Sequence, residues 1–313
     1  MSALLVVLTV GPLVPAAADA YPPRLQVFVA NTDSDDVTVY DTELAEVTAT
    51  VPVGDGPVGV GGTPDGDLVY VTNERADSVS VIDALTHEVT ATVPVGADPY
   101  GVDATATHAY VTNYGADTVT VIEVATQQPV ADIAVGRSPH TPVVSPDGTR
   151  VYVTNNGASS VTVIDATTNT VAGTIPVGRF PAGIAVGPGG ERLYVANTGD
   201  DSVTVIAAPL AVPVATVPVG QAPIGLSVTP QDVVYVANTG SDAVSVIHGE
   251  SAVVSATVPV QQRPEGAATS TDEGFVYITN NAANTMSVID TATITPVATV
   301  PVGQGPEGIA VTP

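Results

Sequence analysis

The sequence repeats one segment seven times, and this repetition limits the possible folds more than any other feature. The segment is clearest at 70–99, YVTNERADSVSVIDALTHEVTATVPVGADP, where two runs of alternating apolar and polar residues precede a third run that ends in Val-Gly-x-x-Pro. Its asparagine returns at spacings of 40 to 42 residues, as Asn31, Asn73, Asn113, Asn155, Asn197, Asn238 and Asn280. Because each unit must bury its faces against its neighbours, the repeats predict a single domain.

The runs within each unit have the period of β-strands. In the second unit the alternation predicts strands at 69–73, 78–83 and 88–95, and a shorter fourth strand, rich in small residues, at 100–105. Val, Ala, Ile and Thr dominate and Trp is absent, which favours packing of β-branched side chains between sheets. The sequence therefore predicts an all-β fold, a seven-bladed β-propeller of four-stranded antiparallel blades, with a solenoid as the alternative.

The two ends of the chain favour a closed ring over a solenoid. The repeats begin at 27–31, in the first strand of the frame, and the chain stops at Pro313, directly after the small-residue strand at 308–311. Three strands of one blade therefore lie at the N-terminus and its innermost strand lies at the C-terminus. We predict that residues 306–311 pair with residues 27–31 and close the ring.

Short polar side chains mark the corners of each unit. Four residues after each repeated asparagine stand Asp35, Asp77, Asp117, Ser159, Asp201, Asp242 and Asn284. Such side chains commonly bond nearby backbone N–H groups in turns, so we interpret them as turn formers rather than as metal ligands.

The repeated motif also has a known counterpart. The residues Tyr70-Val71-Thr72-Asn73, with equivalents at 110–113 and 152–155, resemble the signature of the YVTN family of β-propeller repeats, and the resemblance covers 27–313. It implies a secreted, periplasmic or cell-surface propeller, with lactonase-type and streptogramin-lyase-type enzymes as architectural relatives. Because the motif residues form strands and turns, the resemblance does not select an activity.

The first twenty residues predict export. An apolar run from Ala3 to Ala18 ends in Ala18-Asp19-Ala20, a cleavage pattern typical of a secretory signal peptide, although no basic residue precedes the run. A membrane helix is the alternative, but Gly11-Pro12 interrupts a run that is short for a bilayer. We predict a signal peptide at 1–20, a propeller domain at 21–313 and no stable membrane insertion after cleavage.

Charge and composition exclude several classes of function. The 32 acidic residues outnumber seven basic ones, all Arg, and the net charge of −25 repels nucleic acid and anionic lipid. The absence of Cys excludes disulfides, thiolate metal sites and c-type haem attachment. No Gly-x-Ser-x-Gly, phosphate-loop or His-Glu-x-x-His motif is present. We expect a monomer without cofactor, metal site or nucleic-acid partner.

The candidate site is the mouth of the predicted channel. In a propeller the loop that leads into each innermost strand lies at this mouth, and here it is Gly-x-x-Pro followed by one residue that differs between units. These residues are Val58, Tyr100, His140, Ala182, Ile224, Glu265 and Glu307. Three of the seven Arg fall in the same loops. The predicted ligand-binding residues are Asp98, Tyr100, Asp103, Arg137, His140, Arg179, Phe180, Arg263, Glu265 and Glu307.

The favoured hypothesis is a non-catalytic binding or interaction module whose arginines hold a small anionic or polyol ligand, or a protein partner, at the mouth. One alternative is a small-molecule lyase, lactonase or isomerase in which His140 or Glu265 is the base and the arginines hold an oxyanion. A structural cell-envelope protein is the third. In the last case the Arg–Glu pairs would only balance charge, and Phe180 and Tyr100 could plug the mouth.

Overall fold

The computed structural model describes residues 25–270, 272 and 274–312, so the predicted signal peptide at 1–20 lies outside the described residues. Within the described ranges, 28 strands form seven four-stranded antiparallel sheets, and no α-helix is present. No helix in this part of the chain has the length and apolar character needed to cross a membrane.

The strands follow one another at regular intervals. In chain order they are β1 (Gln26–Asn31), β2 (Asp36–Asp41), β3 (Glu46–Pro52), β4 (Pro57–Gly62), β5 (Leu68–Asn73), β6 (Ser78–Asp83), β7 (Val89–Pro94), β8 (Pro99–Ala104), β9 (His108–Asn113), β10 (Thr118–Glu123), β11 (Gln128–Ala134), β12 (Pro139–Val144), β13 (Arg150–Asn155), β14 (Ser160–Asp165), β15 (Thr170–Pro176), β16 (Pro181–Val186), β17 (Arg192–Asn197), β18 (Ser202–Ala207), β19 (Val212–Pro218), β20 (Pro223–Val228), β21 (Val233–Asn238), β22 (Ala243–His248), β23 (Val253–Pro259), β24 (Pro264–Thr269), β25 (Phe275–Asn280), β26 (Thr285–Asp290), β27 (Thr295–Pro301) and β28 (Pro306–Thr312). Short 3₁₀ helices span Glu74–Ala76, Asn156–Ala158, Ala208–Leu210 and Asn281–Ala283.

The sheets form a closed ring of blades. The innermost strands contact one another in the circular order β28, β4, β8, β12, β16, β20, β24 and again β28, and we number the blades 1 to 7 in that order. Blade 1 joins β28 to β1, β2 and β3, with Val27 opposite Val311 and Val29 opposite Ile309. The predicted seven-bladed propeller and its closure by the C-terminal strand are therefore confirmed.

The predicted strands of the second unit are β5, β6, β7 and β8, and each boundary lies within one residue of the prediction. The innermost strand β8 begins at Pro99, one residue before its predicted start. Proline has no N–H to donate, but it can occupy the first position of a strand, where no ladder hydrogen bond from the N–H is needed. The residue after each such proline therefore lies at the start of an innermost strand, where the channel opens.

The hydrophobic core is divided among the seven contacts between blades. Val79 of blade 2 and Val111 of blade 3 belong to one cluster, and Ile309 of blade 1 packs with Tyr277 of blade 7 in the cluster that closes the ring. Burial of a Val or Ile side chain contributes roughly 1.5–3 kcal/mol, so these interfaces hold the ring together.

Glycine allows the innermost strands to approach one another closely. A β-carbon at Gly59 would collide with the backbone carbonyl oxygen of Tyr100 on the next blade. Glycine occupies the equivalent position in six blades, as Gly59, Gly101, Gly183, Gly225, Gly266 and Gly308. Blade 4 differs, because its residue at this position is Thr141.

The prediction that the short polar side chains at the corners bond backbone N–H groups of their own turns is wrong. Asp77 has the expected left-handed backbone (φ 48°), but its Oδ1 accepts a hydrogen bond from the backbone N–H of Asp98, 21 residues along the chain. Asp35, Asp117, Asp201, Asp242 and Asn284 make the equivalent long-range bond. These side chains therefore anchor the Gly-x-x-Pro loops at the channel mouth.

Candidate functional site

The residues that follow the loop prolines surround the channel mouth. Six of the seven line a cavity of about 150 Å³, namely Val58, Tyr100, His140, Ile224, Glu265 and Glu307. Deeper in the channel the lining becomes apolar, with Val60, Val102, Ile184, Leu226, Ala267 and Ile309. The mouth therefore combines a polar rim with an apolar floor.

The repeated threonine of the Tyr-Val-Thr-Asn strand fixes the backbone of this rim. The hydroxyl of Thr72 donates to the carbonyl oxygen of Tyr100 at 2.6 Å, and Thr279 donates to that of Glu307 at 2.7 Å. Each bond joins one blade to the innermost strand of the next. A residue of the repeated scaffold therefore positions a residue that differs between blades.

The polar rim has an acidic side and an aromatic side. Glu265 and Glu307 lie on the adjacent blades 7 and 1, whereas Tyr100 and His140 lie on blades 3 and 4. The rings of Tyr100 and His140 are in contact in a tilted arrangement, with centroids 4.0 Å apart and planes inclined by 42°. The Tyr114 ring lies 6.2 Å from that of Tyr100.

Glu307 has the acid–base property that a catalyst at neutral pH requires. Burial most of all, and then the neighbouring carboxyl groups of Glu265 and Glu74, raise the pKa of its carboxyl group to about 7, against smaller opposing effects of Thr32 and Arg263. A group with a pKa near the working pH is partly ionised and can both accept and return a proton.

Glu265 is the most enclosed acid of the rim. It is 5% exposed, and the Nε of Arg263 lies 2.8 Å from its Oε1. The contact is an ion pair rather than an aligned hydrogen bond, because this buried oxygen has no hydrogen-bond donor in line with it. Burial raises the pKa of Glu265 and the guanidinium of Arg263 lowers it.

Two neighbours of the rim were missed by the sequence analysis. Glu74, at the start of a 3₁₀ helix, has a pKa raised by burial and by Asp98, and Tyr114 lies beside Tyr100. Both directly follow a repeated asparagine, where the other units carry Thr or Asn. This break in the repeat is the signal that could have identified them.

The aromatic side carries two groups that stay uncharged at neutral pH. Burial, and then the carboxylates of Glu307, Glu265 and Glu74, raise the pKa of Tyr100 well above its usual value, so its hydroxyl remains a proton donor. Burial lowers the pKa of His140 to about 3.

His140 is enclosed and contacts a threonine. Its Nδ1 lies 2.9 Å from the hydroxyl of Thr141, and burial alone accounts for the shift of its pKa. With a pKa of about 3 the ring is a weak base at neutral pH.

Three predicted residues lie away from the cavity lining. Asp103 is near the far end of β8, where its carboxylate accepts hydrogen bonds from the backbone N–H groups of Val144 at 2.7 Å and Ala104 at 2.9 Å, and burial raises its pKa to about 6. Phe180 is 54% exposed on its loop and does not plug the mouth. Asp98 is exposed on the loop before blade 3.

Two of the three mouth arginines also point elsewhere. Arg179 Nε contacts Asp200 Oδ1 at 2.6 Å and its guanidinium donates to the carbonyl of Gly199, while Arg137 donates to the carbonyl of Gly157. Neither residue lines the cavity, so only Arg263 contacts a lining residue.

The acids of the rim do not form a metal-ligand set. Among the residues that the structure describes, no group of three or more His, Cys, Asp or Glu side chains is placed to hold a metal ion. The arrangement instead offers a carboxyl group that ionises near neutral pH, a phenol that donates a hydrogen bond and a guanidinium beside a buried carboxylate.

The sequence matches the model of a known protein family. The family model described as "Lactonase, 7-bladed beta-propeller" matches residues 96–253, half of the chain. A comparison with curated proteins gave no match.

Several solved structures share the fold. Hydrazine synthase of Kuenenia stuttgartiensis is similar with a TM-score of 0.79 and 23% identity over 85% of this chain and 92% of that one. A functionally unknown protein from Desulfotomaculum acetoxidans has a TM-score of 0.81 and 16% identity over 92% and 98%. A Bacteroides fragilis protein provisionally described as a 6-phosphogluconolactonase has a TM-score of 0.79 and 16% identity over 96% and 100%. At these identities the likeness concerns the fold alone.

Proposed function

The chain belongs to the family of seven-bladed β-propeller lactonases, and on that premise we propose that it hydrolyses a small uncharged lactone at the mouth of its channel. The observation that carries the proposal is that Glu307, Tyr100 and Glu265 line one cavity of about 150 Å³, and that Arg263 contacts Glu265. The sequence favoured a binding module, whereas the family match supports the lactonase alternative.

Glu307 is the proposed general base. Its carboxylate takes a proton from a water molecule as the water oxygen attacks the lactone carbonyl carbon. When the tetrahedral intermediate collapses and the ring C–O bond breaks, the leaving alkoxide takes that proton back. The products are a hydroxycarboxylate and one released proton. A positioned base of this kind contributes about 10²–10⁴-fold to the rate.

Tyr100 is the proposed donor to the oxyanion. Its raised pKa keeps the hydroxyl protonated, so it can donate a hydrogen bond to the carbonyl oxygen as negative charge develops there. Arg263 supplies positive charge on the opposite side of the rim, where its contact with Glu265 lowers the pKa of that carboxyl group against the larger effect of burial.

The size and charge of the mouth select the substrate. An apolar cavity of this volume accommodates a ring of about the size of benzene, which fits a five- or six-membered lactone. Among the charged groups that act on Glu307, the carboxyl groups of Glu265 and Glu74 outnumber the guanidinium of Arg263, so a phosphorylated or otherwise anionic lactone would be repelled.

The test is proton release from γ-butyrolactone, glucono-δ-lactone and 6-phosphogluconolactone in a pH-stat. We expect the native protein to hydrolyse an uncharged lactone faster than the phosphorylated one. Glu307→Gln should reduce kcat/KM at least about 100-fold. Asp55→Asn makes the same change from acid to amide at an exposed residue of the loop before blade 2, and it should leave kcat/KM unchanged.

Two results would refute the proposal. One is that no lactone in the panel is hydrolysed faster than in buffer, and a lactone that binds without hydrolysis would restore the binding-module hypothesis. The other is that Glu307→Gln hydrolyses lactones at the native rate.

We also propose that the protein is an exported propeller of the YVTN type. The Tyr-Val-Thr-Asn strands and the apolar segment before Tyr21 support this. N-terminal sequencing of the exported protein should begin at Tyr21, and an intact Met1 on cytoplasmic protein would refute export.

A further inference from the structure

A second cavity lies on the face of the ring opposite the mouth. Innermost strands begin at the mouth, so the turn that follows β12 lies at the other end of the channel, and there blades 4 and 5 enclose a cleft of about 690 Å³. Its polar lining comes from Ser145, Asp147, Thr149, Arg150, Tyr152 and Thr174. The volume is that of a site for a small molecule.

At the equivalent position between blades 5 and 6, an acidic side chain contacts an arginine and a tyrosine. Arg192 Nη1 lies 3.0 Å from Asp232 Oδ2, and the hydroxyl of Tyr194 donates to Asp232 Oδ1 at 2.7 Å. One carboxylate therefore satisfies both an arginine and a buried tyrosine.

The cleft has the same arginine and tyrosine without this acid. Arg150 and Tyr152 are the first and third residues of β13, as Arg192 and Tyr194 are of β17. Asp232 holds the left-handed position of its turn, with φ 60° and a backbone N–H bonded to the carbonyl three residues earlier, and in blade 5 that position is Gly190, with φ 73°.

A second possible partner of the tyrosine is also missing. On blade 3 the hydroxyl of Tyr110 donates to Asn169 at 3.2 Å. The corresponding left-handed turn residue facing Tyr152 is Ala211. Small residues thus replace both side chains that satisfy the equivalent tyrosines, and the space they leave is the cleft.

Arg150 and Tyr152 consequently have, among the described residues, no acidic partner equivalent to Asp232. Within the described part of the chain, the guanidinium of Arg150 has no ion pair, and the hydroxyl of Tyr152, a residue only 4% exposed, has no hydrogen bond. The nearby carboxylates are bound within their own turns, Asp147 by Ser145 and Thr149 and Asp165 by Thr167.

We propose that this cleft binds a small hydroxycarboxylate. The carboxylate of this ligand contacts Arg150 and Tyr152 in the same way that the side chain of Asp232 contacts Arg192 and Tyr194. The planar guanidinium matches a carboxylate through paired N–H donors, and the phenol supplies one more donor. The hydroxyl of Thr174 is available for a hydroxyl group of the ligand. This site is independent of lactone hydrolysis at the mouth.

Isothermal titration with sodium gluconate and sodium citrate tests the proposal, with glucitol as the uncharged counterpart of gluconate. We expect at least one acid to bind and glucitol to bind at least 10-fold more weakly. Arg150→Gln should weaken binding at least 10-fold. Arg192→Gln, the equivalent change where the carboxylate is already present, should leave binding unchanged.

A second variant fills the site from within. Gly190→Asp should place a carboxylate beside Arg150, because Asp tolerates the left-handed backbone and a β-carbon there meets only ordinary contacts. It should abolish binding of the acid and raise the melting temperature above that of Gly190→Asn. Failure of both acids to bind, equal losses in Arg150→Gln and Arg192→Gln, or native binding by a folded Gly190→Asp protein would overturn the proposal.

Discussion

The residues that pack the blades and the residues that surround the mouth come from the same repeating unit, yet only the first set is repeated. All seven asparagines that end the second strand of a blade are fully buried, and Asn113 donates to Thr118 and Thr120 at 2.9 Å in the pattern typical of the set. The mouth positions carry six different residue types. Each of the seven asparagines donates to the hydroxyl group of the residue seven positions later, whereas the mouth residues face one another across a single cavity. The first set must therefore be uniform, and the second can form a site only by differing.

The largest effect should come from opening the ring. A chain that ends at Val302 loses β28, which leaves β1 with unpaired backbone groups beside apolar faces. We expect loss of cooperative unfolding in calorimetry and aggregation in size-exclusion chromatography, with partial rescue by a synthetic peptide of residues 303–313. A truncated monomer with native melting behaviour would contradict closure.

Replacement of a scaffold residue should cost more stability than replacement of a mouth residue. Asn113→Ala leaves buried hydroxyl groups without their donor and should lower the free energy of unfolding by about 2–3 kcal/mol. Tyr100→Phe removes a hydroxyl group with no hydrogen bond in the described residues and should change it by less than about 0.5 kcal/mol. Urea denaturation at pH 7 measures both, and similar values would remove the distinction between the two sets.

The pH dependence of stability should identify Glu307 as a buried acid of the mouth. Its folded-state pKa of about 7 lies above the unfolded value, so between about pH 4.5 and 7 the native state holds a proton that the unfolded state has released, and stability falls as the pH rises. Glu307→Gln removes this loss. The variant should gain on the order of 2 kcal/mol over the native protein between about pH 5 and 8, and a constant difference across that range would contradict the assignment.

The smallest effects separate the arginines of the mouth. Arg263→Gln leaves the enclosed Glu265 without its cation and should cost about 1–2 kcal/mol. Arg137→Gln removes only an exposed contact with a carbonyl and should cost less than about 1 kcal/mol. Equal values in urea denaturation would show that burial of the partner does not distinguish these residues.

The sequence predicted the fold and the place of the mouth because both depend on local periodicity. Alternation fixes the strands, the split blade fixes the closure, and the residue after each proline lies at the start of an innermost strand, at the channel mouth. Contacts between loops were not predictable in this way. The direction of Arg179 depends on Asp200, 21 residues later, and the partner of Asp77 lies equally far along the chain. The pKa of Glu307 depends on burial and on carboxylates from other blades.

The most direct test of the account is the pH dependence of kcat/KM for the best lactone substrate, in the native protein and in Glu307→Gln. If Glu307, one of the mouth residues that differ between blades, is the base, kcat/KM of the native protein should rise about tenfold per pH unit below pH 7 and level off above the Glu307 pKa of about 7. This inflection should be absent from the variant. A flat native profile between about pH 5 and 8, or the same inflection in Glu307→Gln, would contradict it.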